Sequence, residues 1–121
     1  MISTKEALRI LKEEGCSPRV IEHVKAVTDK SVEIAKKISE NGYEVDVELV
    51  RIGALLHDIG RSETHDISHG VEGGRILRKR GLKELSSFAE NHIGAGITPE
   101  EAEKLDIPVK DYRPNTLEEK I

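Results

Sequence analysis

Five histidines, at positions 23, 57, 65, 69 and 92, and one carboxylate beside the second of them carry the chemistry this chain can offer. His57 and Asp58 are adjacent and end a nearly unbroken apolar run, Leu49-Val-Arg-Ile-Gly-Ala-Leu-Leu56; Ile59, Gly60 and Arg61 follow. Apolar residues on most faces of that run predict a buried helix. A histidine and an aspartate buried at its end cost free energy unless their charge and lone pairs are compensated. A divalent cation is one such compensation. Mixed imidazole and carboxylate ligation suits Mn²⁺, Fe²⁺, Co²⁺, Ni²⁺ or Zn²⁺, with Mg²⁺ the harder alternative, as one ion or two. Such an ion polarises a phosphoryl oxygen and generates hydroxide near neutral pH.

The other histidines are more ambiguous on their own. His23 sits on the border of an apolar stripe, where water or a carbonyl would satisfy it as readily as a metal would. His65 and His69 are four apart, which on one helix gives a shared face. Asp66 or Ser68, however, is a helix start between them, so His65 reads either as an edge contact of a site or as a polar loop residue. His69 and His92 gain a site reading only because other ligands exist.

The elements that must position these residues are helical. Ser3-Thr-Lys-Glu6 is a capping box opening a helix to about Glu14, with Gly15 as its stop. Ser17 caps a second helix with Pro18 at its first position, running to about Glu40. Asp46 caps a third, about Val47 to Ile59, with Gly60 expected to end it. A fourth carries His69, Val71, Ile76 and Leu77 and closes on Arg78-Lys-Arg80, expected to be a solvated end that complements the helix dipole. Gly70-Val-Glu-Gly-Gly74 inside it is better explained by close helix packing than by phosphate binding. A fifth runs from about Leu82 to His92, and Thr98-Pro-Glu-Glu101 opens a short sixth to about Leu105. Ile107 to Pro114 holds two prolines and is expected to be an extended loop. Thr116-Leu-Glu-Glu119 is another capping box with only Lys120 and Ile121 behind it, so the last helix is expected to be incomplete. No stretch alternates as a strand does. The expected class is all-α, a helical bundle of about five to seven helices in one domain, 1–121.

Composition bounds the function. The chain is 36% hydrophobic and 35% charged, as a globular domain is, and has only Tyr43, Phe88 and Tyr112 as aromatics. That leaves no stacking platform for single-stranded nucleic acid, and a net charge of −4 disfavours general nucleic-acid or membrane surfaces. Cys16 is the single cysteine, expected to be a small buried residue of a turn in a reducing compartment. Without a signal-peptide pattern or an apolar run of membrane-spanning length, a cytoplasmic location is expected.

A helix histidine at 23, a His-Asp pair about thirty residues later at the end of an apolar helix, and further histidines at 69 and 92 together resemble the HD-domain superfamily. His57-Asp-Ile-Gly60, preceded by Gly53-Ala-Leu-Leu56, is similar to its HDIG subgroup. These are metal-dependent phosphohydrolases with an all-helical fold, and the resemblance runs from about Val20 onward. It implies His23, His57 and Asp58 as ligands of a first metal, Asp58 as a bridge, and His69 and His92 as ligands of a second. It implies Arg61, where many relatives have a lysine, as a contact to substrate phosphate. The family's last metal-binding aspartate lies on a late helix, and no aspartate follows Thr116 here. Asp106 and Asp111 fall in or beside the proline-rich loop and do not take that role. The implied function is hydrolysis of a phosphomonoester or phosphodiester, such as a nucleotide, by metal-activated water. The alternative is a ligand-binding or regulatory module of the same fold with little turnover. A partner is a small phosphate ester; a second copy of the chain is possible.

Overall fold

The computed structural model describes residues 2–64, 68–92, 99–105, 110, 114 and 116–121, and among them every regular element is helical. The order is α1 (Thr4–Glu13), α2 (Pro18–Glu40), α3 (Val47–Leu56), a 3₁₀ turn (Ile59–Ser62), α4 (His69–Lys79), a second 3₁₀ turn (Lys83–Leu85), α5 (Ser86–Glu90), α6 (Pro99–Lys104) and α7 (Leu117–Lys120). The all-α class is as expected.

The first three starts form for the predicted reason. The side chains of Ser3, Ser17 and Asp46 each accept from the backbone N–H three residues on, filling one of the donors a helix start leaves unsatisfied. Thr116 does the same for α7. Thr98, the expected cap of α6, lies outside the described residues, as do His65, Asp66, Asp106 and Asp111. Gly15, Gly42 and Gly81 follow α1, α2 and α4 with φ of 88°, 89° and 77°, the left-handed backbone that glycine adopts without a Cβ penalty.

α3 is the centre. It lies along α2 on one side and touches α1, α5 and α7 on others. Leu11, Ile52, Leu55, Leu56, Ile59, Leu77 and Leu85 are fully buried, each contributing about 1.5–3 kcal/mol relative to exposure. The core is aliphatic, and Phe88 packs on it from α5. Gly53 is what lets it in, because a Cβ there would overlap the Phe88 ring. This contact brings α5, and so His92, against the end of α3.

Three expectations about element ends are corrected. α3 stops at Leu56, so His57 and Asp58 occupy the turn after it. Gly60 is not a helix stop. It sits inside the 3₁₀ turn, where α4 crosses so closely that a Cβ would fall on the His69 carbonyl oxygen. The predicted fifth helix is a 3₁₀ turn followed by a five-residue helix ending at Glu90. The turn after α3 and the segment Lys83–Glu90 both pack against α4, a contact that local sequence signals do not register.

The basic end of α4 is also corrected. Arg80 reaches Glu13 and Glu14 at the end of α1, and Arg78 pairs with Glu90 on α5. Glu90 is buried and is held by Lys110 as well. Removing a partner from the buried Glu90 costs up to about 3–5 kcal/mol, whereas the solvent-accessible Arg80 pairs contribute about 0–1 kcal/mol; both arginines nonetheless link separate elements rather than merely compensate a dipole. Gly73 and Gly74 meet Ala89 and Glu90 of α5, the close packing expected of the glycine run.

Candidate metal centre

Asp58 is the hub. Its side chain is 2% exposed, yet four imidazole nitrogens and one guanidinium converge on it. Oδ2 lies 3.0 Å from His23 Nε2, 3.4 Å from His57 Nε2 and 3.4 Å from Arg61 Nε. Oδ1 lies 3.0 Å from His92 Nε2 and 3.2 Å from His69 Nε2. The sequence-predicted residues His23, His57, Asp58, Arg61, His69 and His92 therefore meet at one place. They come from α2, the turn after α3, the first residue of α4 and the residue beyond the α5 cap.

Two of the imidazoles have a determined tautomer. His57 Nδ1 lies 2.5 Å from the Ala54 carbonyl oxygen, and His92 Nδ1 lies 2.6 Å from that of Ala89. A carbonyl only accepts, so each Nδ1 must donate, and in the neutral ring each Nε2 then presents a lone pair. Those lone pairs point toward a carboxylate. Asp58 Oδ1 is buried with no hydrogen-bond partner; of the two nitrogens beside it, His92 Nε2 presents a lone pair and His69 Nε2 lies 2.9 Å from that nitrogen. Converging acceptors repel one another unless a cation sits among them.

Protons are a poor substitute for that cation. Burial lowers the His57 pKa, and it outweighs the neighbouring Asp58 charge and the Ala54 hydrogen bond that pull the other way. Burial, the largest influence on Asp58, would raise its pKa. Polar contacts from His69 and His92, then the charges of His57 and His92, outweigh it and hold the carboxyl below the usual carboxylate range. The donor set is thus a buried carboxylate and four imidazoles, from the buried His69 to the exposed His23, which fits a divalent metal. Two triads share Asp58: His23, His57 and Asp58, and Asp58, His69 and His92, the candidate ligand atoms of each lying within 4.8 Å of one another. A carboxylate with one oxygen in each triad has the layout of a bridge between two ions.

A cavity opens on each side of the cluster. One of about 280 Å³ is lined by His57 and His92 together with Ser31, Phe88, Asn91 and Glu119. The other, about 390 Å³, is lined by Arg19, Val20, His23 and Arg61. Arg61, expected at a substrate phosphate, pairs with Asp58 and forms the wall of this second cavity.

A family model described as HD domain matches residues 20–121. The chain belongs to the HD-domain family. HD domains bind divalent metals, and the histidines around Asp58 form a group in this one that could hold them. The domain is 60% identical over 118 residues to an uncharacterized protein of Methanocaldococcus jannaschii, covering 97% of this chain and 69% of that protein. It is 45% identical over 117 residues to a tRNA (cytidine(56)-2'-O)-methyltransferase of Picrophilus torridus, covering 96% of this chain but 33% of that protein. A ribonuclease Y of Fusobacterium nucleatum is 40% identical over 62 residues, 48% of this chain and 12% of that protein. The chain thus spans about a third of the methyltransferase it matches and a smaller part of the ribonuclease. No solved structure matches it significantly. Among the described residues no helix is long and apolar enough to cross a membrane.

Sequence reasoning missed several residues around the centre. Asn91 donates to Glu119 Oε1 at 2.8 Å, and Glu118 Oε2 accepts from the Asp46 N–H at 3.0 Å. The short α7, expected to contribute little, is therefore tied to the start of α3 and to the neighbour of His92. Nothing in the local sequence predicts this pairing. Arg19 was findable, since it precedes His23 by four residues on one helix and so shares its face. Cys16, read as a small buried turn residue, is buried and its thiol points to the Ile59 carbonyl. That contact stabilises the 3₁₀ turn behind Asp58.

Proposed function

We propose that this HD domain is a divalent-metal-dependent phosphohydrolase, in which His23, His57 and Asp58 hold one ion and Asp58, His69 and His92 a second. The observation that carries the reading is the buried Asp58, whose Oδ1 has no hydrogen-bond partner while the His57 and His92 rings turn lone pairs toward the carboxylate. When bound, such ions supply Lewis acidity toward a phosphoryl oxygen and a nucleophile at neutral pH. The protein's own residues do the rest. Asp58 keeps its charge in a buried site and shares it between the two triads. The Ala54 and Ala89 carbonyls hold the His57 and His92 rings in the ligating tautomer, as an outer partner of a metal-bound histidine does. Arg61, about one-third exposed, is placed to contact a substrate phosphate from the cavity wall. The substrate is a small phosphate ester, a nucleotide being the leading class, and the likeness to a protein named ribonuclease Y supports a phosphodiester among its substrates.

A second reading is an HD-fold ligand-binding or regulatory module. It is favoured by the methyltransferase relatives, where the matching segment is about a third of a protein named for another reaction.

Metal analysis of protein purified without chelator, followed by a panel of nucleotides and generic phosphate esters with Mn²⁺, Ni²⁺ or Co²⁺, tests the first reading. Bound metal and phosphate release above a His57→Ala control are expected. Bound metal with no release would favour the module, and metal content unaffected by His57→Ala and Asp58→Ala would refute the site.

A further inference from the structure

The two cavities beside the cluster differ in charge, and that difference bears on which end of a substrate each accepts. In the cavity beside His23, Arg19 and Arg61 line the wall with Val20 and His23, and no carboxylate lines it among the described residues. In the cavity beside His57 and His92, two carboxylates, Glu118 and Glu119, and one cation, Lys120, stand among apolar residues, Ser31 and Asn91.

Arg19 is also unlike the other described arginines. Arg9, Arg51, Arg61, Arg75, Arg78 and Arg80 each pair with a carboxylate. Arg19 is exposed and has no such partner among the described residues. It occupies the second position of α2, a 23-residue helix, where the helix dipole adds positive potential to that of the guanidinium. It thus brings an uncommitted planar donor to the same cavity wall as Arg61, next to His23 and one turn from it along α2.

Resting on the phosphohydrolase reading above, we infer that Arg19 and Arg61 form a subsite for a second phosphate group of the substrate. The ester bond that breaks lies over the histidine cluster. The additional phosphate lies toward Arg19, where bidentate contacts to guanidinium are available. The uncharged, nucleoside-like part lies on the opposite side, where Ser31 and Asn91 offer hydrogen bonds and Val27 and Phe88 offer apolar surface. Glu118 and Glu119 outnumber Lys120 on that side, so a phosphate is less favoured there than beside Arg19 and Arg61. The substrate class is therefore an organic phosphate ester carrying a neighbouring phosphate, supplied either as a diphosphate or as the next linkage of a short oligonucleotide.

The test is binding of pyrophosphate and of inorganic phosphate by calorimetry, with Mn²⁺ and after chelator treatment. The wild-type protein is expected to prefer pyrophosphate by about tenfold, the worth of one good charge-assisted contact. Arg19→Ala should bring that ratio close to one, and Arg19→Lys should restore part of it. A ratio that Arg19→Ala does not alter, with or without metal, overturns the subsite. Because the chelated protein is also measured, absence of bound Mn²⁺ in the wild type would count against the metal reading separately from this result. KM for a nucleoside diphosphate and for a 5'-phosphorylated dinucleotide then separates the two sources. An Arg19→Ala increase in KM confined to one of them identifies that source, and an increase in neither overturns the proposal.

Discussion

His57 and His92 are held alike, and His23 is held differently. The first two follow the ends of short helices, and each donates Nδ1 to a carbonyl three residues back, Ala54 or Ala89. Both carbonyls belong to the last turn of a helix, where the C=O groups lack intrahelical partners. One hydrogen bond therefore satisfies a helix end and fixes the direction in which Nε2 points. His23 lies within α2, its side chain 53% exposed, and reaches Asp58 from its helix position alone. Locked donors define the centre, and His23 closes it from the solvent side. Helix termini thus set the geometry, while an exposed helix face leaves one candidate ligand adjustable.

The largest effect should follow from removing what both kinds of histidine face. Asp58→Ala is expected to abolish metal binding in both triads, beyond the about 10–100-fold loss typical of removing an outer-shell partner. Metal analysis of the purified variant checks it; retained stoichiometric metal would remove Asp58 from the centre. Gly60→Ala comes next, since its Cβ would fall on the His69 carbonyl. Thermal unfolding should show a loss at or above the top of the about 1–3 kcal/mol usual for overpacking. A near-wild-type Tm would mean that α4 can yield there.

The contrast between locked and adjustable ligands is sharpened by comparing His57→Ala and His92→Ala with His23→Ala. The first two should weaken metal binding by about tenfold more than the third, because pre-organised ligands lose less freedom on binding. Equal effects in a metal titration would dissolve the distinction.

Acidification gives a smaller, graded effect. The folded pKa of His57 is below 6.5, so the unfolded chain takes up that proton first. Its contribution to metal-free stability is full above pH 6.5 and is lost as pH falls from 6.5 through the lower folded value. Metal affinity should fall over the same direction, because protons compete for the ligating nitrogens. Urea midpoints at successive pH values should show a slope that His57→Gln reduces, and an unchanged slope would assign it to other groups.

Cys16 should produce the smallest effect. Burial first, then the charges of Glu14 and Asp58, pushes its thiol up to about 11. The thiol should react slowly with a thiol reagent at pH 8 until the protein is unfolded. Because the folded pKa is raised, its contribution is present below about 9 and lost as pH rises toward about 11. A rapid reaction in the folded protein would mean that the turn behind Asp58 opens.

Much of the framework was legible because its signals are local. Ser3, Ser17, Asp46 and Thr116 announce helix starts through side-chain oxygens that reach their own backbone. Apolar residues at helical spacing marked α2 and α3. The end of α3 was misread because Gly60 carries the usual sign of a stop, whereas it is needed for the close approach of α4. The solvated reading of Arg78 and Arg80 failed similarly, since the partners Glu90, Glu13 and Glu14 lie on other elements. Residue types and spacing singled out His23, His57, Asp58, His69 and His92, and the family resemblance added Arg61. They did not reveal that Arg19 lacks a carboxylate partner among the described residues, or that Glu119 is the partner of Asn91.

By itself the sequence determined the all-α class, the helix starts and the identity of the groups able to meet at Asp58, because capping and periodicity act within a few residues. Tertiary structure alone decided that four imidazoles share one carboxylate. It also decided which nitrogens face that carboxylate, and that two arginines line one flank while two carboxylates and a lysine line the other. Those outcomes depend on how closely α4 and α5 approach the turn after α3, and that distance is set by packing between segments far apart in the chain.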